Sequence, residues 1–391
     1  MMRFLLSSLL LISLSLWARP LEVTVSAKSA ILMNAETGAI LYEKEPHLPC
    51  YPASITKVAT ALYALEQQGD FLDQDITVSG DALRQKSEKN KESHSYWLEQ
   101  DGTTMGLVKG EVISLDSLLH GLMLVSGNDA ANVIAESVGG SITQFVEQMN
   151  LYVKSLGCKN TQFLNPHGLH HPEHVTTAYD MSLIAKRALQ IHKFRQIVSK
   201  VSYVRPKTNK RSQAEIHQSN ALLKPGPFYY PKALGIKTGH TSHAMHTLVT
   251  AAEHDGRVLI AVLLGCDKKT ARYEDAKRLF EKAFAEPLQK LSLVHPQNVF
   301  TKEIVGAPMS LRAALKSELS IEFYPAEEPI CKAFIHWGAL KLPIQKGQKV
   351  GEMQILDDRG TLLAKGDLVA QEELKGTWGF RIKEAISSLF H

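Results

Sequence analysis

Beyond its first residues the sequence has no stretch approaching about 20 apolar residues, so no later part of the chain is expected to span a bilayer. It has no GxxxxGK[ST] or GxGxxG loop, which argues against a nucleotide enzyme. Net charge is small: 44 basic against 40 acidic residues leave +4, which gives no reason to expect nucleic acid as a partner. Cysteine is sparse. Cys50, Cys158, Cys266 and Cys331 lie far apart, and no CxxC pair exists, so neither a redox motif nor a zinc knuckle is suggested. They are expected as unpaired small apolar residues. There is no internal repeat and no long low-complexity tract. With 44% apolar and 21% charged residues, wholesale disorder is excluded as well.

What is present divides by texture. Met1-Met2-Arg3 precedes an apolar run, Phe4 to Trp17, interrupted only by serines and ended by Arg19-Pro20. At roughly 14 residues it is too short to span and fits an export signal over 1–18, with a buried N-terminal helix as the plainer alternative. Residues 19–286 mix periods. Ala30–Met33 and Ala39–Tyr42 read as a hairpin, and 246–253 and 257–265 as two apolar strands joined at Asp255-Gly256. Helical patterns fall at 54–68, 115–125, 128–138, 141–156, 177–190 and 270–285, with the spacing of a capping box at Thr177 and Asp180. This is an α+β pattern, helices with an antiparallel sheet. Short β-like runs and polar turns dominate 287–371, a small all-β domain. Residues 372–391 become amphipathic and helical. Trp378, Ile382, Ala385, Ile386 and Leu389 share one face that Phe380 and Phe390 widen, with Lys375, Arg381 and Lys383 off the stripe.

Three short motifs carry chemistry. Ser54-Ile-Thr-Lys57 is the one serine with lysine at +3, and that spacing puts both side chains on one helical face. A serine hydroxyl needs a base, and lysine serves if burial or nearby positive charge lowers its pKa. Ser126-Gly-Asn128 sits between two apolar helices, where a short turn projects both side chains into a cleft. Lys237-Thr238-Gly239 lies on an expected strand. Its lysine adds a second positive charge, its threonine a donor for a carboxylate, and its glycine room for a substrate backbone. Each alone has a bland reading, a helix cap or an ordinary strand residue. Together they occur once each in this order, 72 and 111 residues apart.

The triplet resembles the active-site serine penicillin-recognising enzymes. Pro52–Lys57, Ser126–Ala131, Lys237–Thr241, Asn165–Leu169 and Thr177–Met181 narrow the resemblance to the D-alanyl-D-alanine carboxypeptidases, low-molecular-mass penicillin-binding proteins. The resemblance implies a transpeptidase-like α+β fold, a β-rich second domain and an amphipathic membrane-anchoring tail. It implies Ser54 as nucleophile, Lys57 as general base and Ser126 as proton carrier. Lys237 would keep the proton network poised, and Asn128 would hold the substrate amide. Thr238, aided by Arg272, would bind the terminal carboxylate. Gly239 gives the substrate room, the N–H groups of Ser54 and His240 form the oxyanion hole, and Asp180 gives structural support. The implied partners are a peptidoglycan stem pentapeptide ending in D-Ala-D-Ala, β-lactams as covalent inhibitors, and a membrane surface. No cofactor is implied. A β-lactamase or a non-catalytic peptidoglycan-binding protein are the alternatives. Two features depart from the family pattern. Residues 84–103 form a longer polar connection whose Tyr96-Trp97 is expected to pin it to the body, and Ser242–His246 lack an expected tyrosine-asparagine pair. His167, His170, His171 and His174 crowd one loop, but the serine machinery calls for no metal.

Overall fold

The computed structural model describes residues 8–14, 20–86 and 94–382. The tail positions Lys383, Ala385, Ile386, Leu389 and Phe390, and the middle of the 84–103 loop, lie outside the described residues. The chain forms two compact units. One is Pro20–Ala285; the other is Glu286–His391 together with Met1–Arg19.

The first unit is built on five antiparallel strands: β1 (Ser29–Asn34), β2 (Ile40–Lys44), β3 (Ala233–Thr241), β4 (Met245–His254) and β5 (Arg257–Cys266). Their order is β2-β1-β5-β4-β3, which leaves β3 on the edge. The central β5 is buried along nearly its whole length, which is why it reads as an unbroken apolar run. Asp255-Gly256 turns β4 into β5 in two residues, as the dipeptide implies, and both have positive φ. Helix α1 (Lys57–Gln68) runs through the core, with every residue from Lys57 to Leu65 buried. Around it lie α2 (Leu115–His120), α3 (Asn128–Gly139), α4 (Ile142–Ser155), α5 (Ala178–Gln190) and α6 (His192–Val198). Helix α7 (Ala271–Phe284) packs on β4 and β5.

Boundaries moved where the chemistry competes. The expected helix 54–68 splits into a 3-10 turn at Ala53–Thr56 and then α1. The expected 115–125 helix stops at His120 and ends in one π turn, Gly121–Val125. The capping box is half made. Thr177 Oγ1 accepts the Asp180 N–H at 3.1 Å, but the Asp180 carboxylate turns away to the Asn160 N–H and Thr161 hydroxyl, both at 2.8 Å.

The second unit has a sheet in the order Ser8–Leu14, Cys331–Trp337, Lys349–Leu356, Leu362–Ala370, Leu311–Leu315, Val299–Lys302, beside the pair Gln289–Val294 and Leu319–Phe323. Its core gathers Leu311, Ala313, Ile335, Met353 and Leu368. The apolar run near the N-terminus supplies its outer strand. The tail is helical from residue 378 rather than 372, because buried Leu374 is first tied to Ile344 by two backbone bonds of 2.8 and 2.9 Å. No helix among the described residues is long and apolar enough to cross a membrane. All four cysteines are free.

Candidate active site

Ser54 sits on the 3-10 turn that runs into α1, so the spacing of three brings the Lys57 amine within 3.1 Å of its hydroxyl. Ala53, just before it, is a buried non-glycine residue at φ +52°. Such a conformation persists only when its surroundings enforce it. They do so from the loop at 165–169: Gly168, at φ +94°, lies against the Ala53 carbonyl so closely that no Cβ fits.

Lys57 has no exposed surface. Besides Ser54, its amine meets Asn128 Oδ1 and the His167 carbonyl, each at 2.7 Å. Burial first, and then the charge of Lys237, hold its pKa well below the usual lysine range. A lowered pKa favours the neutral amine, and in that form the directions of the bonds follow. A neutral amine has two hydrogens and one lone pair. Asn128 Oδ1 and the His167 carbonyl accept only, so they take the hydrogens, and the lone pair is left for the Ser54 hydroxyl to donate to. The geometry is that of a base aimed at its proton.

Asn128 is the first residue of α3. Its backbone N–H is held by the Thr103 carbonyl at 2.8 Å, and the neighbouring Asp129 carboxylate accepts the N–H groups of Met105 and Leu107. Ser126 ends the π turn in the left-handed region, φ +66° and ψ +34°, and is nearly buried. The turn is closed by a bond from the Gly127 N–H to the Gly121 carbonyl at 3.1 Å.

The third wall is β3. Gly239 brings this edge strand against the 3-10 turn: a Cβ there would stand 3.0 Å from the Ser54 nitrogen and from the Pro52 carbonyl, and would strike the Thr247 hydroxyl. Lys237 is buried, donates to the Thr238 carbonyl at 3.0 Å, and has its pKa pushed down to about 7 by burial and then by Arg272. Thr238 Oγ1 lies 3.4 Å from Ser219 Oγ. The exposed His240 ring stacks on His246 at 4.4 Å. Arg272, on α7, donates through Nη1 to the carbonyls of Gly239 at 2.8 Å and Thr247 at 3.1 Å, and stacks on Tyr273. Thus Ser54, Lys57, Asn128, Lys237 and Gly239 converge, Arg272 braces β3 from behind, and Asp180 acts apart, tying Asn160 and Thr161.

Two members of the histidine loop are structural. Thr56 Oγ1 donates to the Ala53 carbonyl, so His174 Nε2 donates to Thr56 Oγ1 at 2.9 Å, while His174 Nδ1 accepts the Leu164 N–H at 3.0 Å. His167 Nδ1 accepts the Leu169 N–H at 3.1 Å, and its Nε2 donates to the Tyr96 carbonyl at 3.0 Å. That bond, with Asn132 Nδ2 donating to the same carbonyl at 2.9 Å and Trp97 buried, pins the 84–103 loop. His170 stacks on His243 at 3.7 Å. Both buried rings are committed as neutral; burial holds His174 at about 3 and His167 well below its usual value. Their folded pKa values therefore lie below the unfolded value of about 6.5. Above that pH the contribution is complete. As pH falls from about 6.5 toward 3, the unfolded chain takes up protons that the folded chain refuses, and stability drops by up to about 1.4 kcal/mol per pH unit for each ring. Melting temperature should decline between pH 7 and 5, and less steeply in a His174→Asn protein; identical slopes would contradict this role.

Sequence reasoning did not anticipate the His167 carbonyl as a Lys57 partner, since a backbone group leaves no mark in composition. It also gave Arg272 to substrate; its Nη1 is bonded to the carbonyls of Gly239 on β3 and Thr247 on β4 and its Nη2 to the Tyr273 hydroxyl, while its Nε has no partner among the described residues.

The D-alanyl-D-alanine carboxypeptidase family profile matches residues 17–268. The chain is 30% identical over 364 residues to the D-alanyl-D-alanine carboxypeptidase DacF of Bacillus subtilis, covering 91% of this chain and 88% of that one. It is similar to the crystal structure of penicillin binding protein 6B from Escherichia coli, with a TM-score of 0.63, 27% identity, and 90% and 97% of the two chains covered. It is also similar to the Streptomyces K15 DD-transpeptidase, with a TM-score of 0.59, 28% identity, and 67% and 98% covered.

Proposed function

We propose a mechanism from one premise: the chain belongs to the D-alanyl-D-alanine carboxypeptidase family. It is a serine carboxypeptidase that removes the terminal D-alanine from peptidoglycan stem pentapeptides, and β-lactams are its covalent inhibitors. The β-lactamase and non-catalytic alternatives give way to these findings.

In the proposed roles, Ser54 Oγ attacks the carbonyl carbon between the two D-alanines as Lys57 Nζ takes its proton. The N–H groups of Ser54 and His240 steady the oxyanion. As the C–N bond breaks, Ser126 relays that proton from Lys57 to the leaving amine and free D-alanine departs. Water then cleaves the Ser54 ester. Asn128 positions the substrate amide, while Lys237 and Thr238 receive its terminal carboxylate. Arg272 holds the Gly239 carbonyl, and so β3, in place. The observation that carries this scheme is the buried Lys57 amine, its pKa lowered by burial and by Lys237, 3.1 Å from the Ser54 hydroxyl. Mass spectrometry of a pentapeptide ending in D-Ala-D-Ala tests it: tetrapeptide and one D-alanine are expected. An unaltered pentapeptide would refute the scheme, and a product joined to an added amine acceptor would show transpeptidation instead.

Arg272 yields a pH prediction. Its charge lowers the Lys237 pKa, so Arg272→Gln should raise that pKa and let Lys237 stay charged to higher pH. The alkaline limb of kcat/KM should move upward, even as kcat/KM itself falls from the loosened β3. An unmoved limb would separate Arg272 from Lys237.

In this reading residues 1–18, whose Ser8–Leu14 stretch lies as a strand beside Cys331–Trp337 in the uncleaved chain, act as an export signal that places the enzyme at the outer face of the cytoplasmic membrane. The tail holds it there as an interfacial helix. Support comes from Trp378, 79% exposed where the helix begins, and from Ile382 one turn on.

A further inference from the structure

We propose that residues 302–309 of the second unit join the base of the terminal helix in a single surface that docks on an anionic lipid bilayer. This rests on the tail reading above and adds a part of the folded β-domain to it.

Apolar side chains exposed singly are ordinary, but several gathered in one patch rimmed by polar residues mark an interaction or membrane surface. Here four stand in adjoining segments. Val305 is 88% exposed, Trp378 79%, Met309 55% and Ile382 39%. The segments are joined: the Thr377 N–H donates to the Gly306 carbonyl at 2.8 Å, and the Phe380 ring lies directly against Gly306. The loop therefore sits at the root of the helix, and a helix lying on a bilayer would bring the loop to the same depth. Beneath the loop is a groove of about 580 Å³ whose lining includes Ile304, Val305, Trp337, Leu340, Leu342 and Phe380.

Charge selects the occupant. Lys302, Glu303 and Lys341 line the groove, and Lys375 and Arg381 flank the base of the helix with Glu372 and Glu373, of which Glu373 is already paired with Lys375 at 2.9 Å. Four cations against three carboxylates leave one positive charge. Exposed tryptophan beside separate aliphatic protrusions and lysine or arginine is the pattern of an interfacial surface. The core of a protein interface, by contrast, is depleted in charge.

The test is co-sedimentation of the full chain, purified from the cell envelope, with vesicles of phosphatidylglycerol and of phosphatidylcholine. Four proteins are compared: parent, Val305→Asp, a deletion of 378–391, and Phe71→Asp, which alters a 60% exposed side chain of the first unit. The parent should prefer phosphatidylglycerol. Val305→Asp should weaken that binding about tenfold, since it removes one buried aliphatic and adds a like charge to the lipid. Its melting temperature and β-lactam labelling should match the parent, and Phe71→Asp should bind as the parent does. If the deletion releases the protein while Val305→Asp binds normally, the tail docks alone and this proposal falls although the tail reading stands. If neither change matters, both fall. Equal loss in Phe71→Asp, or a Val305→Asp effect confined to self-association of the chain, also overturns it.

Discussion

Lys57→Met should leave a folded protein whose acylation by a β-lactam is slower by on the order of 10²–10⁴, the usual range for loss of a positioned general base. Two effects on stability oppose one another. Methionine fills the space of the lysine stem but leaves Asn128 Oδ1 and the His167 carbonyl without a donor, at about 1–3 kcal/mol for each buried group. Against that, a fully buried amine is no longer desolvated. The net change in melting temperature should be small beside the loss of rate. The parent supplies the companion result. Since burial and Lys237 lower the Lys57 pKa, its labelling rate should rise with pH at values well below the unperturbed lysine pKa of about 10.4. Labelling of Lys57→Met within threefold of the parent would remove Lys57 from the mechanism.

Ser54→Ala should abolish both D-alanine release and covalent labelling. In serine hydrolases, loss of the nucleophile reduces turnover by on the order of 10⁶. No other serine of the chain has a lysine at +3. Ser126, the other serine of the proposed roles, sits on a separate turn. Removing the hydroxyl takes one partner from Lys57 while Asn128 and His167 keep theirs, so the protein should fold and still bind β-lactam without a covalent bond. Retained labelling would show that the nucleophile lies elsewhere.

Much of this was legible in the chain itself. Ser54 and Lys57 share a face because a helical turn fixes what a spacing of three means. The β4–β5 hairpin was legible because Asp255-Gly256 admits few other turns. What stayed hidden depends on distant partners. Ala53 takes its left-handed conformation because Gly168, far along the chain, closes on it, and nothing near Ala53 announces this. Lys57 is held by a backbone carbonyl. Arg272 fits the expected offset from Lys237, but only the packing of α7 shows its guanidinium turned to the Gly239 carbonyl. The tail helix begins late because Leu374 has an anchor in Ile344, which no periodicity reveals.

The most direct measurement is to label the protein with a β-lactam at neutral pH, digest it with trypsin and locate the adduct by mass spectrometry. The peptide from Glu45 to Lys57 contains Ser54 as its only serine. One adduct per chain is expected, on that peptide and on that residue. An adduct on any other residue, or none at all, would contradict it.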